Sequence, residues 1–223
     1  MKMFRYCLLG LGLALVVVSV AVAQDNFVVG GVAGVRGLHG HVILPPHAVF
    51  TNCDTGCGSY NTGSGYYVSG TALSTGAGQT LAMGFSAAKT VTFARAKAPN
   101  TVYTSNGGVS HGKISAFLLN GDPNNGPSTL LAKLTQNGRI PDYTKIRTVS
   151  YTSTKAVTFK KGVTYFFCQT VPVADVQMLW MVSNSDLTSP FWFQDSDTCT
   201  QKGTVWNNAT GAANGAAFEI ESQ

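Results

Sequence analysis

Apolar residues along this chain recur with a period of two. No window of eleven or more residues carries the 3.6-residue period of an amphipathic helix. Thr90-Val91-Thr92-Phe93-Ala94 alternates polar and apolar side chains, the pattern of a strand with one buried face. Lys113-Ile114-Ser115-Ala116-Phe117-Leu118-Leu119 repeats it. Asn120-Gly121-Asp122-Pro123-Asn124-Asn125-Gly126-Pro127 is then a dense turn signal, and 129–134 reads as the returning strand. Further strands are expected at 66–68, 80–85, 146–150, 156–159, 164–170, 176–182 and 215–220. Roughly ten short strands with a turn about every ten residues predict an all-β fold, an antiparallel β-sandwich or jelly roll. No internal repeat suggests a propeller or a β-helix.

The first residues read as a targeting segment. Lys2 and Arg5 precede an apolar run of about 17 residues, at the lower edge of membrane-spanning length, and Ala21-Val22-Ala23 is a small-x-small cleavage pattern. Residues 1–23 are therefore expected to be a signal peptide. Gln24, not cysteine, follows the cleavage pattern, which argues against a lipid anchor. In 24–46, Gly31, Gly34, Gly37 and Gly40 fall at every third position, but four triplets without proline cannot hold a collagen helix. This segment reads as a flexible glycine-rich lead, leaving 47–223 as one β-sandwich domain. No later stretch reaches spanning length, so no membrane span is expected after cleavage. The expected location is secreted, extracellular or cell-envelope.

Only 11% of residues are charged, and the formal net charge of +5 comes from scattered lysines and arginines without a polybasic arm. Nucleic acid is not an expected partner. Beyond the leader stand Cys53, Cys57, Cys168 and Cys199. In an oxidising compartment four cysteines form two disulfides with three possible connectivities. The local one, Cys53–Cys57 with Cys168–Cys199, is favoured because each pair lies within one region. The larger loop, of about 30 residues, contributes about 3 kcal/mol on the chain-entropy account. A zinc site built from Cys53, Cys57 and a histidine is the alternative.

Several segments together resemble a known family. Tyr60-Asn61-Thr62-Gly63-Ser64-Gly65-Tyr66-Tyr67-Val68-Ser69-Gly70 leads into Gln79-Thr80-Leu81-Ala82-Met83-Gly84-Phe85. The hairpin with Asp122, Gly126-Pro127 and Leu130 follows, then Val157-Thr158-Phe159 and Gly162-Val163-Thr164-Tyr165. Trp180, Ser183-Asn184-Ser185 and Ala216-Ala217-Phe218-Glu219-Ile220 complete the pattern. It is similar to bacterial exported β-sandwich domains of the choice-of-anchor type. The resemblance implies a sandwich fold outside the cytoplasm and supplies no reaction or ligand. Family members often carry a C-terminal sorting tail. Phe218-Glu219-Ile220-Glu221-Ser222-Gln223 shows neither an apolar tail nor a sorting motif, which weighs toward free release and leaves surface retention open.

Residues able to carry chemistry are few. Asp175, Asp195 and Asp197 are the available partners for a glycoside-hydrolase carboxylate pair, and each reads better as a loop residue. Asp122 before Pro123 reads as a turn former. Gly63-Ser64-Gly65 lacks the strand-to-helix frame of a nucleophile elbow and reads as a loop. His39, His41 and His47 are a candidate zinc or copper set, whereas Asp195 and Asp197 offer oxygen ligands for a structural calcium. No other cofactor is implied.

The aromatic residues are more suggestive. Phe191-Trp192-Phe193 lies between Pro190 and Asp195 in a region that reads as a loop. Three consecutive aromatics in extended chain cannot all face one core, and Trp192 is the ring expected to be exposed. With Trp206 and the amides Gln194, Asn207 and Asn208 it forms a candidate carbohydrate-contact set. The expected role is a non-catalytic binding or structural module, contacting glycans or cell-envelope polymers. An inert envelope or matrix component and an uncharacterised extracellular hydrolase are the alternatives.

Overall fold

A computed structural model describes residues 47–71, 78–105, 113–141, 145–172, 176–185, 190–194, 198–200, 205–209 and 215–223. The chain divides into two units, Met1–His39 and Gly40–Gln223, and every described residue lies in the second. The expected signal peptide and glycine-rich lead lie outside the described residues.

The strands are β1 (Ala48–Thr51), β2 (Asn61–Ser69), β3 (Thr80–Ser86), β4 (Val91–Ser105), β5 (Ser115–Asp122), β6 (Gly126–Asn137) and β7 (Arg147–Thr152). They continue with β8 (Thr158–Phe159), β9 (Thr164–Thr170), β10 (Val176–Val182), β11 (Phe191–Gln194), β12 (Asn207–Asn208) and β13 (Glu219–Ser222). One 3₁₀ turn, Thr55–Cys57, is the only helical element among the described residues. Every pairing between strands is antiparallel. The predicted all-β sandwich is thus the observed architecture.

The sheet is a single curled one, in the order β1-β13-β4-β7-β6-β5-β9-β3-β11-β12. Strand β6 carries it from one layer to the other. Its Gly126–Leu134 portion pairs with β5, and Thr135–Asn137 pairs with β7. The two layers enclose the main core. Ala96, Ala98, Val149 and Trp180 come from one layer, and Met83, Phe85, Leu118 and Phe167 from the other; all are buried. The Trp180 indole N–H donates to Ala217 O at 2.6 Å, so its polar atom is satisfied inside the core.

Strand β4 runs eleven residues beyond the predicted 90–94, through a proline. Along one edge it pairs with β13 up to Lys97 and with β10 from Asn100 onward; along the other it pairs with β7 without a break. Pro99 falls where the first edge changes partner, between the last pair with β13 and the first with β10, where a residue without an N–H is tolerated. Strand β2 contains Gly63-Ser64-Gly65, expected as a loop. A side chain at Gly65 would stand 3.0 Å from Leu179 Cβ, so the bare glycine lets β10 pack closely.

Both disulfides of the local pairing are present, Cys53–Cys57 and Cys168–Cys199. The zinc alternative is overturned, because both thiols it needs are consumed in a disulfide. Among the described residues no helix is long and apolar enough to cross a membrane.

Candidate functional site

Strand β11 turns the aromatic triplet to two sides. Phe191 faces the main core, where its ring centroid lies 4.5 Å from that of Tyr66, and Phe193 packs against the same core. Trp192 points the other way, as alternation requires. It does not reach solvent: only 4% of Trp192 is exposed. The expectation of an exposed ring is corrected, and the reason lies in the layer's outer face. That face carries its own apolar cluster of Ala82, Phe117, Leu119, Phe166, Cys168 and Trp192, joined by Cys199 through the disulfide and flanked by Trp206.

Two elements roof the ring. The β5–β6 turn brings Gly126 against it, so that a Cβ there would lie 3.0 Å from Trp192 Cδ2 and Cε3. The same Cβ would be 3.3 Å from Trp206 Cβ, so one bare glycine accommodates both tryptophans. Gly126 also has φ +81°, a left-handed conformation open to glycine at little cost.

The polar members of the set divide accordingly. Gln194 is fully buried, and its Nε2 donates to Thr198 O at 2.5 Å. Asn207 and Asn208 form β12, pair with Phe193 and Trp192, and are exposed. Trp206 is half-buried beside them, next to Val205, which is 74% exposed. The five residues therefore do come together. Trp192 and Gln194 form the floor, and Trp206, Asn207 and Asn208 form a solvent-facing rim.

Asp195 and Asp197, the calcium candidates, lie outside the described residues, as do Asp175, His39 and His41. His47 is described and exposed. Among the described residues no three His, Cys, Asp or Glu side chains are grouped as metal ligands. Asp122 caps its turn, its Oδ1 accepting from the backbone N–H groups of Asn124 at 2.8 Å and Asn125 at 3.1 Å.

The sequence reading missed a charged cluster on the opposite layer. Glu219 and Glu221 of β13 lie across from Lys97 and Arg95 of β4. Lys97 Nζ reaches Glu221 Oε1 at 2.5 Å and Glu219 Oε1 at 3.4 Å, and Arg95 Nε donates to Glu221 Oε2. Gly56 N–H donates to Glu219 Oε2 at 2.6 Å, which ties the Cys53–Cys57 loop to the cluster. Burial, then the hydrogen bond with Glu221, pushes the Glu219 carboxyl above its ordinary value. Burial would raise Glu221 too, but hydrogen bonds from Glu219, Arg95 and Lys97 prevail and bring it down to about 2. Two cations against two carboxylates make a self-neutralised clamp. Glu-x-Glu and Arg-x-Lys, each at strand spacing, were the available signal.

The fold and its cross-links define an antiparallel, disulfide-bonded all-β sandwich with a second apolar layer on one outer face. Comparison of the chain with family models, with curated proteins and with solved structures found no match.

Proposed function

We propose that the chain is a non-catalytic, exported β-sandwich module that contacts glycans or other cell-envelope polymers through the rim of Trp206, Asn207 and Asn208. The observation that carries this reading is the pairing of a half-buried indole with two exposed amides on one edge. An indole face supplies apolar area to a sugar ring, and primary amides both donate to and accept from hydroxyls. Trp192 supports the rim from below, and its buried ring offers no stacking face of its own. The resemblance to choice-of-anchor domains, the N-terminal leader pattern and the two disulfides support export to an oxidising location.

A glycan-array screen of the disulfide-bonded protein tests this, beside Trp206→Ala and the pair Asn207→Ala with Asn208→Ala. Binding that is weakened at least tenfold in both variants, with unchanged thermal midpoints, is the expected result. A folded wild-type protein that binds no glycan refutes the contact role. The alternative is then a structural envelope component, supported by the disulfides and by the burial of one layer on both faces.

A further inference from the structure

Two polar atoms on the outer face of the β3–β11 layer have no partner among the described residues. Trp192 Nε1 and Gln194 Oε1 are both buried and neither makes a hydrogen bond. The rest of the described fold meets such needs: Trp180 Nε1, Asn100, Gln169 and Asn52 are all buried and all bonded. Two exceptions on one strand, two residues apart and therefore on one face, mark a place rather than a scatter.

Their chemistry is complementary. Nε1–H of an indole only donates, and an amide Oε1 only accepts. The amide's orientation is fixed independently, since Thr198 O is an acceptor and can engage only Nε2. Oε1 must then face elsewhere. The indole is likewise oriented: its Cδ2–Cε3 side lies against Gly126, which turns the Nε1 side away from the β5–β6 turn.

We propose that Trp192 Nε1–H and Gln194 Oε1 together bind one hydroxyl group, which accepts from the indole and donates to the amide. A hydroxyl is the simplest group that does both at one oxygen. Two sources supply it: a water held inside the fold, or a sugar hydroxyl from a glycan seated on the Trp206–Asn207–Asn208 rim. The second source rests on the glycan-contact reading; the first stands without it. Either gives Gln194 a role that packing alone does not, holding the amide between Thr198 O and the bound oxygen.

The test is ¹⁵N-resolved NMR of the intact, disulfide-bonded protein. The chain has three tryptophans, so three indole N–H signals are expected. The Trp192 signal is identified by its loss in Trp192→Phe, and that of Trp180 reports that the core is folded. With water as the source, the Trp192 indole proton shows a cross-peak to a long-lived water. That cross-peak is lost in Gln194→Met while the Trp180 signal stays in place. With a sugar as the source, adding cello-, chito- or xylo-oligosaccharides shifts the Trp192 signal, and Gln194→Met abolishes the shift. If Gln194→Met does not fold, the wild-type spectra decide. A Trp192 indole proton with neither a water cross-peak nor an oligosaccharide shift overturns the proposal. A negative glycan array with the water cross-peak present leaves it standing.

Discussion

Three side chains carry a polar link across the middle of the core, and its loss should have a recognisable signature. Asn100 on β4 donates from Nδ2 to Gln169 Oε1 on β9 at 2.9 Å, and Tyr151 on β7 donates its hydroxyl to Asn100 Oδ1 at 3.0 Å. Asn100, Gln169 and Tyr151 are all fully buried. Replacing Asn100 by leucine keeps the branching at Cγ and removes both the donor and the acceptor. It strands the Tyr151 hydroxyl and the Gln169 amide, each at about 1–3 kcal/mol, partly offset by about 1 kcal/mol of added apolar burial. The net expectation is a loss of about 3 kcal/mol. Tyr151→Phe in the native background removes one bond but leaves Asn100 Oδ1 the Gln169 Nε2 group at 3.5 Å, for a loss of about 1 kcal/mol. In the Asn100→Leu background the same substitution deletes a stranded hydroxyl, so its effect should be neutral or stabilising. Urea unfolding of the four proteins, with both disulfides intact and a constant slope, measures the cycle. Equal cost of Tyr151→Phe in both backgrounds would refute the reasoning, since it would mean that the hydroxyl does not depend on Asn100.

Two further outcomes follow from the geometry. Gly126→Ala should cost about 2 kcal/mol, because it places a Cβ against Trp192 at a left-handed position; thermal unfolding checks it, and an unchanged midpoint contradicts the roofed arrangement. The carboxylate clamp gives an opposed pH dependence. Glu221, held at about 2, contributes stability that is complete above the ordinary glutamate value and fades as pH falls toward about 2. Glu219, raised, favours its protonated form in the fold, so stability declines as pH climbs from the ordinary value through the raised one. Glu219→Gln mimics the protonated form, with its amide able to donate to Glu221 while its carbonyl accepts from Gly56. It should raise the urea midpoint at neutral pH and leave the acid limb unchanged; a lowered neutral midpoint counts against the account.

The sequence by itself determined the all-β class and most strands, and it favoured the disulfide pairing, because these depend on residues close together in the chain. Period-two alternation follows from strand geometry, and four cysteines in two local groups favour local closure. Asp122 was likewise legible as a turn former, since an aspartate bonds the N–H groups just after it. The alternation expected over 90–94 says nothing of a strand that continues through Pro99. Only the neighbours on its edge show that Pro99 sits between the pair of Lys97 with Glu219 of β13 and the pair of Asn100 with Trp180 of β10. Trp192 marks the limit most clearly. Alternation fixed correctly that it turns away from the core shared by Phe191 and Phe193, but turning away from one core is not exposure. Whether a second layer covers that face depends on where Gly126, Cys199 and Trp206 arrive in space, and they come from positions before and after β11 in the chain. Burial is a property of everything that approaches a residue, so no local pattern encodes it. Tertiary structure alone decided that Trp192 and Gln194 form a closed floor, that Trp206, Asn207 and Asn208 form the rim, and that Glu219 meets Lys97 from a strand more than a hundred residues away.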